Sequence, residues 1–288
     1  MPAISLVVCL CNQRDLLERL LRESSGHYDD LVVVHDGPDE TGARATVEAA
    51  GGRFFERPLE RQQERHWPFA WAQAKLDWIL RLDADEFPGR EMKAWLQEFR
   101  RISERPATIS GFTCIWPSWD GRQTISKKWP AGHVFLFHRH RVRFFGMPEQ
   151  GAIPDSQWEP LDFILHHQPK RKSYGLHNIL IRKQAYRWRD CIAHSLLGKP
   201  TDLPCWRWEN EEWPVEWEQI RQHPLQTALR RLVMETFRGL CSGWRAEKKF
   251  FPNAALMGPV HHALICLKYW QVRRRHLREM ASEKSADN

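Results

Sequence analysis

Trp78-Ile79-Leu80-Arg81-Leu82-Asp83-Ala84-Asp85-Glu86 joins a short β-rich run to three carboxylates crowded into four positions. A brief apolar run cut off abruptly by charge reads as a buried strand that ends where the acidic residues begin. Working outward, Ile4 to Leu10 is a second such run, followed by Asp15 to Leu21 with Leu16, Leu17, Leu20 and Leu21 on one helical face. Leu31 to Val34 is another, ending at His35-Asp36-Gly37-Pro38; Thr41 is positioned to cap a helix to Ala50, Arg53 to Phe55 opens a third strand, and Phe69 to Asp77 reads as a helix. Alternation of strands with amphipathic helices predicts βαβ units around a mostly parallel sheet. Open sheets of this kind bind ligands beyond the carboxyl ends of their strands, where Asp36 and Asp83 to Glu86 fall.

Those carboxylates suggest chemistry. Asp83 and Asp85, two apart at a strand end, can face one divalent cation, with Glu86 as a third oxygen donor. Mg²⁺ and Mn²⁺ favour oxygen ligands and commonly bind through one or two carboxylates plus substrate phosphates, which points to a diphosphate-bearing substrate. Asp36, followed by Gly37, can accept hydrogen bonds from the edge of a nucleobase.

The surrounding pattern narrows the field. Strand Ile4 to Leu10 with Asn12, then Val32-Val33-Val34-His35-Asp36-Gly37-Pro38-Asp39-Glu40-Thr41, then Leu82-Asp83-Ala84-Asp85-Glu86, resembles the family 2 glycosyltransferases of the GT-A fold, with Pro38 in place of the Ser of the family's D-G-S signature. Asp77 to Phe87 is similar to the branch that includes bacterial lipopolysaccharide inner-core transferases. The resemblance implies an α/β, Rossmann-like, mostly parallel sheet flanked by helices, with a C-terminal helical extension. It also implies an inverting transfer that uses one general base and a Mn²⁺ or Mg²⁺ ion. Asn12 and Asp36 would then lie on the nucleotide-sugar donor, Asp36 at its base, Asp83 on the ribose or on the metal through water, and Asp85 on the metal. Glu149, in Gly146-Met147-Pro148-Glu149, stands where the branch often carries a His-Glu pair, and would be the base. Either His166 or His167 falls where the branch tends to carry a histidine that completes the metal shell or binds phosphate. Arg65, like Arg57, Arg61 and Lys75, lies between the second signature and the acidic motif, where a basic side chain can reach donor phosphate.

After residue 105, Ile109 to Trp116, Val134 to His138 and Val142 to Phe145 read as strands of a smaller antiparallel addition. Residues 1–170 are thus expected to form the catalytic domain, with a nucleotide-sugar half to about residue 100 and an acceptor half from 101 to 170. Residues 171–288 form a helical region with a Trp- and Glu-rich loop, Pro204 to Trp217. Within residues 221–280, 12 Lys and Arg face only 3 Glu, a surplus larger than the +7 of the whole chain. A basic tail of this kind seeks a polyanion. On one helix Leu225, Leu229, Leu232, Phe237 and Leu240 share a face opposite Arg230, Arg231 and Arg238, as expected of a segment lying on an anionic bilayer. The apolar run Ala254 to Leu267 is too short to span one. The partners expected are therefore a nucleotide-sugar donor, a saccharide or lipid-linked acceptor and an anionic membrane surface, at the cytoplasmic side of a bacterial inner membrane.

Composition trims the alternatives. Hydrophobic content of 42% and charged content of 27% are those of a folding chain. The 7 cysteines are odd in number and contain no C-x-x-C pair, which argues against a zinc or redox motif and suits reduced cytosolic thiols. A nucleotidyltransferase that makes a nucleotide sugar would place a Gly-rich phosphate loop after the first strand, and Cys9-Leu10-Cys11-Asn12-Gln13-Arg14 has no glycine. A nucleic-acid-binding module would leave the acidic cluster without a role, and no nucleic-acid motif accompanies the basic tail.

Overall fold

The computed structural model describes residues 2–102, 106, 108–170, 183–209 and 211–286. The chain divides into two compact units, Met1–Ser173 with Pro204–Trp208, and Tyr174–Leu203 with Glu209–Asn288.

In the first unit the order is β1 (Ile4–Leu10), α1 (Arg14–Ser24), β2 (Asp30–Asp36), α2 (Ala43–Ala49), β3 (Arg53–Arg57), α3 (Trp67–Gln73), β4 (Trp78–Arg81), β5 (Glu86–Pro88), α4 (Arg90–Phe99), β6 (Ile109–Ile115), β7 (Ala131–His138), β8 (Val142–Arg143), β9 (Ile153–Pro154) and β10 (Gln157–His167). Eight strands form one sheet in the order β3-β2-β1-β4-β7-β6-β10-β5, and β8 and β9 form a separate pair. β3, β2, β1 and β4 are mutually parallel, β7 runs antiparallel to both β4 and β6, and β10 is parallel to β6. The expected fold class holds: a mostly parallel α/β sheet flanked by helices, with a helical region after it.

Every residue of β1 and β2 is buried, because parallel strands covered on both faces read as unbroken apolar runs. Alternate residues go to opposite cores. Ile4, Leu6, Val8 and Leu10 join Leu16, Leu17, Leu20 and Leu21 of α1 and Met92, Leu96 and Phe99 of α4 on one side. Val7 and Cys9 join Trp67, Ala70 and Trp71 of α3 on the other. Trp71 sits in an aromatic nest, with Phe137 at 5.0 Å, Phe144 at 5.6 Å, Trp206 at 5.9 Å and Trp67 at 6.0 Å between ring centroids.

Several local readings change. Gly42, not Thr41, is the cap residue of α2, and the side chain that reaches the first turn is that of Asp39: its Oδ2 accepts the Arg44 amide at 2.9 Å while Oδ1 accepts the Thr41 amide and hydroxyl. Burial works against that charge, yet the converging amides hold the carboxyl far below its ordinary range. α3 begins at Trp67 and ends at Gln73, short of Asp77. Val142 and Arg143 pair with β9, outside the main sheet. β10 lacks a strand signature in sequence because Pro160 interrupts it; the register slips between Pro160 and Ile164, where an irregularity accommodates the ring.

The second unit contains α5 (Lys183–Ser195), α6 (Val215–Gln222), α7 (Pro224–Arg230), a π-helical turn at Arg231–Glu235, α8 (Thr236–Glu247) and α9 (Pro252–Ala286). Among the described residues no helix is long and apolar enough to cross a membrane. Among the described residues, which include all seven cysteines, there is no disulfide.

Candidate active site

β4 leaves the sheet at Leu82, whose amide still bonds the Val7 carbonyl, and the chain then turns on a bond from the Glu86 amide to the Asp83 carbonyl of 2.9 Å. The Glu86 side chain reaches back into this turn. Its Oε2 accepts the Asp83 amide at 2.8 Å, and its Oε1 accepts Trp116 Nε1 at 2.6 Å and His133 Nε2 at 3.1 Å. Fully buried, the carboxyl would be hard to ionise, but His133 and then Arg81 draw its pKa down to about 2. Glu86 is therefore not the third cation ligand expected of it. Both its oxygens are engaged within the protein, and it buckles the turn that presents Asp83 and Asp85.

Asp83 is half-buried and accepts Gln63 Nε2 at 3.0 Å. Burial, with the neighbouring charges of Glu86 and Asp85, pushes its carboxyl up to about 7 against the pull of Arg81. Asp85 has its Oδ2 3.5 Å from His167 Nε2, while its carbonyl accepts the Gln168 amide at 2.8 Å. His167 stacks on Trp116, ring centroids 4.0 Å apart and planes 21° from parallel. Burial opposes its protonation, but Asp85, Glu86 and Asp83 together raise its pKa, and its Nδ1 is buried without a partner.

Strand alternation separates the two histidines. β10 pairs antiparallel with β5, His167 opposite Glu86 and His166 opposite Phe87. His166 consequently lies on the other face of the sheet, close enough to Gly89 that a Cβ there would meet its Nε2 at 3.1 Å, and among the charges of Glu23, Arg19 and Glu91. It takes no part in the acidic cluster.

Asp36 ends β2 at 5% exposure, and its Oδ1 accepts both the Glu60 amide at 2.6 Å and His66 Nε2 at 2.9 Å. Burial disfavours the charge, but the His66 bond and these amides outweigh it and keep the carboxyl below its usual range. In this form Asp36 anchors the 60–61 segment. Asn12, at φ 51°, donates its amide to His35 Nε2 at 3.0 Å and its Nδ2 to Glu40 at 3.2 Å. Since His35 Nε2 accepts, its Nδ1 carries the hydrogen and donates to the Gly37 carbonyl at 2.8 Å; one buried imidazole thus ties the loop after β1 to the loop after β2. Arg65 pairs with Glu60 at 2.9 Å and is not directed at Asp83 or Asp85. Lys75 bonds through its amide to Asp30, the first residue of β2 and so at the far end of that strand from Asp36.

Glu149 is exposed at φ 64°, and its amide donates to Glu64 Oε1 at 3.2 Å. Burial and the charge of Glu149 push the Glu64 carboxyl up to about 7, with Arg81 opposing. The Arg81 guanidinium donates to the Val134 carbonyl at 3.0 Å and lies 4.6 Å from the Trp67 ring centroid. Its charge acts on both Glu64 and Asp83, and the Glu149 amide is tied to Glu64. The loop that carries Glu149 is strapped down: Phe144 and Trp206 exchange backbone bonds of 2.9 and 2.8 Å, and Cys205 Sγ donates to the Phe145 carbonyl.

Sequence reasoning missed Gln63, Glu64, Arg81, His35 and His66 as parts of this constellation. The basic and amide side chains lacked a motif, though Arg81 interrupting an apolar strand was a signal. Trp116 joins Glu86 to His167, donating to the one and stacking on the other.

Among the described residues no three His, Cys, Asp or Glu side chains enclose a cation. Two fit as part of a shell. Mg²⁺ holds its ligands at about 2.1 Å, so adjacent ligands of one octahedral ion stand about 3 Å apart, within a small shift of the 3.5 Å between Asp85 Oδ2 and His167 Nε2. Such a pair suits an ion whose remaining ligands are phosphate and water, and the imidazole favours Mn²⁺ over Mg²⁺.

No protein-family model matches the chain, and no curated protein matches it. Among solved structures the chain is similar to glucosyl-3-phosphoglycerate synthase from Mycobacterium tuberculosis in complex with phosphoglyceric acid, at 14% identity over 68% of this chain and 79% of that one, TM-score 0.44. It is similar to a mannosyltransferase from Pyrobaculum calidifontis in complex with GDP-mannose and Mn²⁺, at 15% identity over 93% and 86%, TM-score 0.46. A CMP-2-keto-3-deoxy-manno-octonic acid synthetase complexed with CTP matches at 13% identity over 47% and 71%, TM-score 0.30. Glycosyltransferases and a nucleotidyltransferase thus both stand among the similar structures, at scores too low to choose between them, and the chemistry has to be argued from the residues of this chain.

Proposed function

We propose that this chain is an inverting, metal-dependent glycosyltransferase that moves a sugar from a nucleotide-sugar donor to a saccharide or lipid-linked acceptor in bacterial surface-glycan synthesis, such as that of lipopolysaccharide core or capsule, working at the cytoplasmic face of the inner membrane. The observation that carries the transferase reading is the opposition of Asp85 and His167 at 3.5 Å, on a turn locked by Glu86 beside the carboxyl ends of β1 and β2. This is where the resemblance to family 2 transferases expects the donor diphosphate.

Asp85 and His167 would hold the cation, which when bound supplies Lewis-acid stabilisation of charge on the departing nucleoside diphosphate. Asp83, whose carboxyl burial and the charges of Glu86 and Asp85 push up, would ionise more readily beside a bound cation and can accept a donor hydroxyl. The loops fixed by Asp36, His35 and His66 form the nucleoside side of the site, with Asn12 at its edge. Glu149 takes the proton of the attacking acceptor hydroxyl, a contribution of roughly 10² to 10⁴ in rate for a well-placed base.

Release of nucleoside diphosphate and calorimetric donor binding, across a panel of nucleotide sugars with Mn²⁺, Mg²⁺ or chelator, test this reading. Metal-dependent binding of one donor, abolished in Asp85→Ala and retained with turnover lost in Glu149→Gln, is expected. Silence across the panel from folded protein would overturn it, and pyrophosphate release from a nucleoside triphosphate and a sugar phosphate would replace it with nucleotidyl transfer.

A further inference from the structure

The second unit turns an apolar stripe outward. Residues 224–247 run as one continuous helical stretch, α7 and α8 joined through the π-helical turn at Arg231–Glu235. Its inner face is Pro224, Thr227, Ala228, Arg231 and Gly243, all buried. Leu225, Leu229, Leu232, Phe237 and Trp244 point away from it, with exposures of 47, 66, 37, 64 and 44%. Steps of four, three, five and seven residues would drift around a regular α-helix. The five-residue step falls on the π turn, which adds one residue to a turn and so returns Phe237 and Trp244 to the line set by Leu225 and Leu229. Phe250, 62% exposed, extends the stripe by stacking on Trp244 at 4.7 Å.

Charge flanks the stripe on one side. Arg230, Arg238 and Arg245, spaced by eight and seven residues, form a parallel row, and Lys248 and Lys249 close its end. Arg238 and Arg245 have no ion-pair partner among the described residues, whereas Glu235 turns toward Arg231 and His262. At the other end an open hollow of about 360 Å³, lined by His223, Leu225, Trp270 and Arg273, continues from the apolar row into a basic, aromatic recess.

We infer that this face is a membrane-docking surface that lies flat in the headgroup region of an anionic bilayer. Leucine and aromatic side chains in a row enter the acyl boundary while a parallel row of arginines meets lipid phosphate, the division of labour of an interfacial helix. A protein partner or a second copy would cover the apolar row equally well, but neither would need five cations of one sign beside it. The inference deepens the reading of a lipid-linked acceptor and rests on it only for its biological purpose.

The test is co-sedimentation of the full chain with phosphatidylcholine vesicles, with and without 30% phosphatidylglycerol, at low and high salt; the lipid fraction is about that needed for a surface potential of tens of millivolts. Binding to the anionic vesicles alone, weakened by salt, is expected. The exposed double variant Phe237→Ser/Trp244→Ser should lower the partition coefficient about a hundredfold, and Arg238→Glu/Arg245→Glu by at least as much. Circular dichroism checks that both variants fold. Binding to neither vesicle, or binding that both variants retain, overturns the inference, as does a concentration-dependent dimer that Phe237→Ser abolishes without any vesicle binding. Donor hydrolysis in solution, measured on the same variants, reads the transferase proposal separately: vesicle binding without hydrolysis leaves the docking surface standing, and hydrolysis without vesicle binding removes only the docking surface.

Discussion

Replacing Glu86 by Gln tests whether this carboxylate builds the site or binds within it. Its two oxygens accept three hydrogen bonds, from the Asp83 amide, Trp116 and His133. Gln keeps one acceptor oxygen and turns the other into a donor, so either the Asp83 amide or the Trp116–His133 pair faces an NH₂ group it cannot bond. Hydrogen bonds to a buried charge contribute about 1.5–3 kcal/mol each, and an orphaned buried donor costs about 1–3 kcal/mol, so a loss of about 2–4 kcal/mol is expected. For a domain of this size that corresponds to a fall in Tm of about 5–15 °C. The assay is thermal unfolding in the presence of chelator, where no cation contributes. A cation ligand would leave that Tm unchanged and lower only the affinity for metal. A shift below about 1 °C in chelator would therefore refute the assignment of Glu86 as the buckle of the acidic turn and return it to the cation.

His167→Ala should raise the Mn²⁺ concentration needed for half-maximal diphosphate release at least about tenfold, while His166→Ala, on the opposite face of the sheet, should leave it within about twofold; equal effects would contradict the strand register. Gly146→Ala places a Cβ 2.8 Å from the Pro204 carbonyl carbon at φ 81°, and the left-handed backbone alone costs about 1–2 kcal/mol for an L-residue. A Tm lower by several degrees and a fall in kcat from the displaced Glu149 loop are expected, and unfolding and rates like those of the parent would show that the loop is not held there. Asp30 is buried, which opposes its charge, but the Lys75 amide, Ser5 and Arg53 lower its pKa in the folded protein. A lowered folded pKa gives stability that is present above the unfolded value and lost as pH falls through it toward the folded one, so Asp30→Asn should lower the urea midpoint at pH 6 and flatten its decline below about pH 4. An unchanged acid slope would refute this.

The parts of the site legible in the sequence are those that local pattern dictates. β1, β2 and β4 are apolar runs because both their faces are covered, and the change from apolar to acidic at Leu82 and Asp83 marks the carboxyl end of a strand whatever its neighbours are. Glu149 came from resemblance, and its proximity to Glu64 has no sequence signature. Leu225, Leu229 and Phe237 were legible as one helical face, but whether that face is covered or open depends on how the rest of the second unit packs.

Sequence alone thus determined the alternation of strands and helices, the carboxyl-end placement of Asp36, Asp83 and Asp85, and the basic character of the tail, because each depends on residues close together in the chain. Tertiary structure decided the rest. It turned Glu86 inward to Trp116 and His133, 30 and 47 positions away, and through the pairing of β10 with β5 it set His167 on the face of Glu86 and His166 on the other. The direction a side chain takes in a strand is set by register against partners distant in sequence, and shifting that register by one residue exchanges the two faces.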